Sequence, residues 1–298
     1  MPAGQFRALF DDASLFPPAA LAMAKAVPGH LRHQAAWYQE MTGPFVCPDS
    51  KITELSAALT AAMVAELDLA LVLPGGPGGL DEALDAVFAD PRLRLRAVEL
   101  PASPAAAGAV SAELPAGSVA SDAAAAVRFV ADALDRVPLA GAAAFIEVPV
   151  ALVTDDVARN AADRRYLIKL RTGGTTAATF PDEVTLAGAL VALAAGRVPF
   201  KCTAGLHHAV RHRAADTGFE HHGFLNVLLA AAAAADGGTA GQVAAELADA
   251  DPGRVAARIT QLDADAAAAA RELFTSFGTC STDEPVTDLV TLGLVTRS

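Results

Sequence analysis

Short apolar segments alternate with longer helical patterns along most of this chain. The apolar runs have the length of buried strands, and the segments between them repeat apolar positions at helical spacing. This alternation is typical of repeated βα units, so it predicts a parallel sheet covered by helices. The predicted strands lie near Arg7–Phe10, Phe45–Cys47, Asp68–Leu73, Leu95–Leu100, Val110–Leu114, Ala143–Val148, Leu167–Leu170 and Phe200–Thr203.

The helical patterns fall between these strands. Only the gap between the fourth and fifth predicted strands, residues 101–109, is too short for an ordinary crossover helix. The predicted helices lie near Ala19–Glu40, Thr53–Ala65, Leu80–Ala89, Val119–Val137, Asp155–Arg164 and Asp182–Ala195.

Eight parallel strands in 298 residues predict a (β/α)₈ TIM barrel, a fold of about 250 residues. We assign residues 1–238 to this barrel. From residue 239 onward the patterns predict helices without intervening strands, including Pro252–Ser276, so residues 239–298 are expected to form a helical C-terminal extension packed on the barrel. An open doubly wound sheet is the alternative, but the glycine fingerprint that follows its first strand is absent.

Composition and charge argue against several classes of binding partner. The net charge is −12 and the arginines are scattered, which argues against nucleic acid because binding its backbone requires a clustered basic surface. The longest apolar run, Val227–Ala235, is too short to cross a bilayer, and no basic stretch and apolar core mark a secretory signal. Three cysteines without CxxC spacing predict no disulfide framework. We expect a cytoplasmic protein without membrane partner or cofactor, and a possible homo-oligomer.

Carboxylates are placed where a barrel would use them. The motif Glu-apolar-Pro occurs three times at predicted strand ends, with Glu99, Glu113 and Glu147. Strand side chains alternate in direction, so these glutamates face the barrel interior if their apolar neighbours pack under helices. Asp11 and Asp12 follow the first predicted strand. Mutual neutralisation of buried charges is the alternative interpretation of such a set.

Two matched segments each place one lysine within an apolar strand and follow it with threonine and glycine. They are Tyr166–Gly174, with Lys169, and Pro199–His207, with Lys201. Burial disfavours the charged form of a lysine, and a second ammonium nearby has the same effect. A neutral Lys169 could attack a carbonyl group and form a Schiff base. The alternative is a surface lysine at a strand end.

The residues after these lysines suggest an acidic ligand. Arg171, Thr172, Gly173 and Gly174 lie where many barrels bind phosphate, and successive amides in a glycine turn bind anions. The alternative is a tight turn that needs positive φ. Thr203 and one histidine of the pair His207 and His208 are further candidates for the pocket. A metal site that uses one histidine of this pair, one of the pair His221 and His222, and a glutamate is the competing interpretation.

The lysine segments carry a family resemblance. Ile168-Lys-Leu-Arg-Thr-Gly173 resembles the strand of deoxyribose-phosphate aldolases that bears the Schiff-base lysine, and Phe200-Lys-Cys-Thr-Ala-Gly-Leu206 resembles their second lysine strand. Order and approximate spacing hold over residues 6–207. Weaker similarities involve Leu9–Pro17 with the family's opening Asp-His-Thr-Leu-Leu-Lys-Pro segment, Val46-Cys47 with its second strand, and Phe145–Val148 with Leu152–Asp156.

The resemblance implies that Lys169 forms the imine and that Lys201 lowers its pKa. The acidic proton relay of the family lies on the fourth strand, where this chain has Glu99 instead of aspartate. In the aldolases the lysine strands are the sixth and seventh, whereas the count above makes them the seventh and eighth. The family's final strand and serine-bearing phosphate loop have no clear match after His208.

The expected function is that of a class I aldolase-like lyase acting on a small carbonyl substrate, acidic or phosphorylated. Two alternatives are a metal-dependent barrel enzyme that stabilises an enolate-type intermediate and a barrel that binds a small anion without catalysis. The expected catalytic residues are Lys169, Lys201, Glu99, Glu113 and Glu147, and the expected substrate-binding residues are Asp11, Asp12, Arg171, Thr172, Gly173, Gly174, Thr203, His207 and His208.

Overall fold

A closed barrel of parallel strands forms the centre of the molecule, which confirms the predicted (β/α)₈ architecture. The structure is a computed structural model that describes residues 4–102 and 119–297. Going around the barrel, the order is β1 to β7 followed by β10, which pairs with β1 and closes the ring. The barrel strands are β1 (Phe10–Asp12), β2 (Thr42–Pro48), β3 (Leu67–Val72), β4 (Leu93–Pro101), β5 (Ala143–Val148), β6 (Leu167–Arg171), β7 (Phe200–Thr203) and β10 (Phe274–Thr279). The antiparallel pair β8 (His212–Arg213) and β9 (Glu220–His221) lies outside it.

Helices cover the outside of the barrel and bury the larger apolar core against the strands. Several begin at a residue whose side chain accepts a backbone N–H of the first turn, as Thr154 and Asp182 do. The helices are α1 (Met23–Gln34), α2 (Ile52–Ala61), α3 (Leu80–Phe88), α4 (Val119–Leu134), α5 (Asp155–Asp163), α6 (Glu183–Ala195), α7 (Phe224–Ala235), α8 (Ala240–Ala248), α9 (Pro252–Gln261), α10 (Ala264–Leu273) and α11 (Asp283–Thr291). Short 3-10 helices lie at Gly4–Phe6, Gln39–Met41, Asp49–Lys51, Pro77–Gly79, Val150–Leu152 and Ala177–Thr179.

The eighth barrel strand comes from the region predicted to be a purely helical extension. β10 lies between β7 and β1, with Phe277 in register with Cys202 on one side and Phe10 on the other. The predicted division at residue 238 is therefore corrected, because the barrel does not close without residues 274–279. The predicted strand Val110–Leu114 lies outside the described residues, and β4 pairs directly with β5.

Aromatic packing accounts for the position of β10. Phe277 packs against Phe10 and Phe224, with ring centroids 5.4 Å and 5.1 Å away, and Phe274 stacks on Phe200 at 5.3 Å. Burying large aromatic rings gives a strong hydrophobic gain. Helix α7 is apolar on all sides because it is buried between the barrel and the helices α8, α9 and α10.

The first strand also differs from its prediction. It spans Phe10–Asp12 instead of Arg7–Phe10, so Asp11 and Asp12 lie within the strand. Both are buried, and alternation along the strand sends their side chains in opposite directions. Each carboxylate has a cationic or imidazole partner in its own environment, which makes its burial tolerable.

The barrel interior is divided into an apolar half and a charged half. A small apolar cluster of Val46, Ala70, Val72, Ala97 and Phe145 is separate from the main core. Phe145 and Leu167 lie two residues before Glu147 and Lys169 on their strands, so they share the same inward face. The charged side chains therefore follow the apolar ones toward the carboxyl ends of the strands, where barrel enzymes place their active sites.

Among residues 4–102 and 119–297, one helical stretch, Ala177–Ala195, is long and apolar enough to cross a membrane by length and composition alone, with a mean hydropathy of 1.3. A buried core helix passes the same test. In this fold α6 packs against α5, α7 and α8, and its leucines Leu186, Leu190 and Leu193 are fully buried.

Candidate active site

The two lysines meet on one shared carboxylate. Glu99 of β4 lies 2.8 Å from Lys169 Nζ through its Oε2 atom and 2.6 Å from Lys201 Nζ through its Oε1 atom. All three side chains are almost fully buried. The structure thus brings Lys169 and Lys201 together on one buried carboxylate.

Two more carboxylates complete this group, which we call the charged cluster: Asp11, Glu99, Glu147, Lys169, Lys201 and Arg171. Glu147 Oε2 lies 3.0 Å from Lys169 Nζ, and its Oε1 atom accepts a hydrogen bond of 2.9 Å from Arg171 Nε. At the other side, Lys201 Nζ donates to Asp11 Oδ2 at 2.5 Å. Each ammonium group thus has two carboxylate partners.

Strand register brings these side chains together. Lys169 is in register with Glu147 on one neighbouring strand and with Lys201 on the other. Ser276 of β10 is in register with Lys201, and its Oγ atom donates a 2.8 Å hydrogen bond to Asp11 Oδ2. Below the cluster, the Phe145 ring centroid lies 5.3 Å from Lys201 Nζ, a cation–π contact.

The carboxylates reverse the predicted pKa of Lys169. Burial lowers the pKa of this lysine, but Glu147 and Glu99 outweigh burial and raise the pKa above its usual value. Lys201 does lower it, as predicted, but by less than either glutamate raises it. Lys201 also has a raised pKa, because Asp11 and Glu99 outweigh its burial. Both lysines are therefore ammonium ions in the resting protein.

The pKa values of the three carboxylates are not all shifted in the same direction. Burial raises the pKa of Glu99, but the two ammonium groups overcome this and hold it at about 2. The pKa of Glu147 is likewise lowered, because Lys169 and Arg171 overcome the effect of burial. For Asp11 burial prevails and the pKa is raised, even though Lys201 lowers it. Glu99 and Glu147 are thus both held in their ionised forms.

The cluster is open on the side of Glu147 and Arg171. The Glu147 side chain is 20% exposed and the Arg171 side chain 48%, whereas Asp11, Glu99 and Lys201 are at most 4% exposed. Lys169 lies between the two sets. A ligand that enters from the mouth of the barrel therefore meets Arg171 and Glu147 first, then Lys169, and Lys201 last.

The glycine pair after β6 is explained by close packing. A Cβ atom on Gly173 would lie 2.7 Å from Gly205 Cα, and one on Gly174 would lie 2.6 Å from Thr179 Oγ1. Positive φ is recorded at Gly205 but at neither member of the pair, so the alternative of a positive-φ turn is wrong. The pair lets the loops after β6 and β7 approach each other.

The threonines predicted to bind substrate tie these same loops together. Thr172 is buried, and its Oγ1 atom donates a 2.6 Å hydrogen bond to the Ala204 carbonyl oxygen. Its backbone N–H donates to the Thr203 carbonyl oxygen at 2.9 Å. Thr203 ends β7, two residues after Lys201 on the same face of the strand. Thr172 has a structural role, whereas Thr203 stands above Lys201.

The two predicted histidines contact α11 rather than the charged cluster. His207 Nδ1 lies 2.9 Å from Glu284 Oε2 and 3.9 Å from Cys280 Sγ, and these two groups raise its pKa to about 9, with the larger effect from Cys280. His208 Nδ1 lies 3.1 Å from Asp288 Oδ2. Both histidines hold the loop after β7 against the segment that follows β10.

Asp12 lies apart from the cluster, although it was predicted to bind substrate. Its Oδ2 atom lies 3.1 Å from His30 Nδ1 on α1, and its Oδ1 atom accepts the Ser14 N–H at 3.0 Å. Alternation sends its side chain to the helical side of β1, away from Asp11. His30 and the Ser14 hydrogen bond lower the pKa of Asp12 although burial opposes them.

Two residues remain to be compared with the sequence prediction: Glu113, which was predicted to be catalytic, and Ser276, which was not predicted to belong to the site. Glu113 lies outside the described residues. Ser276, which binds Asp11, was assigned to the end of a predicted helix. The signal that could have revealed it is the run Phe274-Thr-Ser-Phe-Gly-Thr279, where aromatic and hydroxyl residues typical of strands follow the alanine-rich pattern of α10.

The donor set of the cluster suits amine chemistry better than metal binding. The glutamate oxygens already accept from ammonium or guanidinium groups. Within residues 4–102 and 119–297, no group of three or more histidine, cysteine, aspartate or glutamate side chains is arranged to hold a metal ion. A lysine held beside carboxylates at a barrel mouth can bind a carbonyl compound and exchange protons with it.

Comparison of the chain with protein-family models and with curated proteins gave no match, so the chemistry of the site carries the functional argument.

Proposed function

We propose that this protein is a class I aldolase-like lyase in which Lys169 forms a Schiff base with a small carbonyl substrate. The observation that carries the proposal is the buried pair Lys169 and Lys201, bound to the two oxygens of Glu99 at the carboxyl ends of neighbouring strands. Buried charged groups are costly, and clusters of ionisable groups in barrel mouths are favoured sites of chemistry.

Lys169 is the better nucleophile of the two. It adjoins the partly exposed Glu147 and Arg171, whereas Lys201 is enclosed by Asp11 and Glu99. The two carboxylates beside Lys169 can accept its proton when a substrate carbonyl displaces one of them. Lys201 keeps its charge and holds Glu99 in place. Arg171 is suited to bind an acidic group on the substrate, because its guanidinium donates in a bidentate fork.

The proposed reaction conserves atoms and electrons. Neutral Lys169 attacks the carbonyl carbon to form a carbinolamine. The carboxylate that took the proton of Lys169 returns it to the hydroxyl group, which leaves as water and gives the protonated imine. A carboxylate, assigned to Glu147, takes the proton of the β-hydroxyl group. The carbon–carbon bond then breaks, its electron pair moves toward the imine to form an enamine, and an aldehyde departs. Proton return to the enamine carbon and hydrolysis of the imine release the second carbonyl product.

The strand positions support the resemblance to deoxyribose-phosphate aldolases. In those enzymes the lysine strands are the sixth and seventh, and in this barrel Lys169 and Lys201 lie on β6 and β7. The numbering of these strands as seventh and eighth in the sequence analysis depended on the predicted strand Val110–Leu114. β10 also provides the final strand that was missing after His208. The acidic residue on the fourth strand is Glu99, where the family has aspartate.

Trapping with borohydride tests the proposal. The protein is incubated with small aldehydes and ketones, with and without an acidic group, and reduced with borohydride, and the adduct is located by mass spectrometry. The chain has four lysines, so the modified residue can be assigned. We expect a stoichiometric adduct on Lys169. A Lys169→Arg variant should give none, and the control Lys51→Arg, at a half-buried lysine outside the charged cluster, should react like the wild type.

The outcomes separate the competing functions. No adduct on Lys169 with any of these compounds would exclude the imine mechanism. Saturable binding of an acidic compound without adduct or turnover would favour the non-catalytic anion-binding barrel. Equal labelling of all lysines would indicate nonspecific surface reaction and would also contradict the proposal.

A further inference from the structure

A polar cavity lies on the helical side of β1, apart from the charged cluster. Its volume is about 250 Å³, enough for a few water molecules or one small ligand. It is formed by the end of β1 and the segment that follows it, one side of α1 along most of its length, and the turn that leads from β10 into α11. None of the residues of the charged cluster lines it, and neither Gly173 nor Gly174 does.

Two buried hydroxyl groups in the lining lack hydrogen-bond partners. Ser14 is 8% exposed and Thr282 is 3% exposed, and both line the cavity. Neither Ser14 Oγ nor Thr282 Oγ1 has a partner among the described residues. Buried hydroxyls are nearly always satisfied in folded proteins, so an unsatisfied pair in one cavity indicates a bound water or ligand.

The same cavity has free cationic side chains and a helix N-terminus. Lys25 and Arg32 line it, both are exposed, and neither forms an ion pair within the described parts of the chain. Thr282 is the N-cap of α11, yet its side chain makes no capping hydrogen bond. The first N–H groups of α11 therefore also lack the usual side-chain acceptor, and they attract negative charge.

Both carboxylates in the lining accept hydrogen bonds from other groups. Asp12 binds His30 and the Ser14 N–H, and Asp283 accepts a 3.3 Å hydrogen bond from the Tyr38 hydroxyl. His33 has a pKa lowered by burial, so it is neutral near pH 7. The groups that remain for a ligand are two cations, two hydroxyls and backbone N–H donors, and this set matches an oxyanion.

We infer that this cavity is a binding site for a phosphate group, held by Lys25, Arg32, Ser14 and Thr282 at the N-terminus of α11. The site is separate from the proposed imine site and does not depend on it. The same chemistry would accept inorganic phosphate or the phosphate of a small monoester.

Fluorescence of the single tryptophan can report on this cavity. Trp37 packs on Tyr38 with ring centroids 5.4 Å apart, and the Tyr38 hydroxyl binds both His33 and Asp283 of the lining. The full chain is titrated with inorganic phosphate and, separately, with glycerol phosphate, at constant ionic strength set with chloride. We expect a saturable change with a Kd of about 1 mM or below. Tighter binding of one of the two probes shows whether the site prefers inorganic phosphate or a phosphate monoester.

Variants locate the binding site. Lys25→Gln/Arg32→Gln should weaken phosphate binding about 100-fold, because it removes two charge-assisted contacts. Ser14→Ala should weaken binding about fivefold without loss of thermal stability, because the lost hydroxyl has no partner in the free protein. Arg136→Gln, which removes one positive charge at an exposed arginine that does not line the cavity, should bind like the wild type.

Three results would overturn the inference. The first is the lack of saturable binding of either probe up to about 50 mM. The second is unchanged affinity in the Lys25→Gln/Arg32→Gln variant. The third is loss of binding in Arg171→Gln with retention in that double variant, which would assign the anion to the mouth of the barrel instead.

Discussion

At the scale of single residues, Glu99 sets the state of both lysines. Glu99 contacts two ammonium groups and has a pKa of about 2. Together with Glu147 and Asp11, it keeps Lys169 and Lys201 protonated. Proximity of two lysines alone would have lowered their pKa values. The sign of the pKa shift depends on how many carboxylates contact each lysine. The strand-end motifs predicted carboxylates near the lysines but not their number.

The raised pKa of Lys169 predicts a steep pH dependence of imine formation. A lysine with a pKa at or above its usual value of about 10.4 is less than about 0.1% neutral at pH 7, and the neutral fraction grows tenfold with each pH unit. We therefore expect the rate of borohydride trapping at Lys169 to rise about tenfold per unit between about pH 7 and 9. A rate that is independent of pH over this range would show that the resting lysine is already neutral.

Replacing Glu147 separates trapping from turnover. The charge of Glu147 is the largest single effect that raises the pKa of Lys169, so Glu147→Gln should lower that pKa and speed trapping at pH 7 about tenfold or more. Turnover of a substrate should fall, because the proposed proton acceptor is lost. Glu82→Gln, on the exposed face of α3, is the control and should change neither rate. Slower trapping in Glu147→Gln would contradict the pKa assignment.

At the scale of elements, β10 is held mainly by its aromatic side chains. Phe277→Ala should lower the free energy of unfolding by about 3–5 kcal/mol, because it leaves a cavity among Phe10, Phe224 and Phe274. The matched control is Phe129→Ala, since Phe129 is 56% exposed and its loss should change the free energy by at most about 0.5 kcal/mol. Urea denaturation of both variants gives the comparison, and equal stability of the two would contradict the packing role.

At the scale of the whole molecule, the barrel requires the C-terminal part of the chain. A truncated chain of residues 1–238 lacks β10, so β7 and β1 keep unpaired edges and the core loses Phe274 and Phe277. We expect no cooperative thermal transition and no near-ultraviolet circular dichroism for this fragment, whereas the full chain should show both. A cooperatively folded fragment would instead support the division at residue 238 that the sequence predicted.

The sequence by itself determined the repeating βα architecture and the identity of the charged strand ends. The charged residues Glu99, Glu147, Lys169 and Lys201 lie in or next to apolar runs. Their spacing within these runs predicts that they face inward, because side chains alternate in direction along a strand. The resemblance further implied that the lysine strands are the sixth and seventh, and that order holds in the barrel.

Only the tertiary structure decided which strand closes the barrel and which charges touch. Strand pairing between distant segments, such as β1 with β10, leaves no periodic mark in either segment. The same is true of the contact between Asp11 and Lys201, which lie 190 residues apart. The protonation states of the lysines depend on these long-range contacts, because electrostatic effects in a buried site follow distance in space rather than position in the chain.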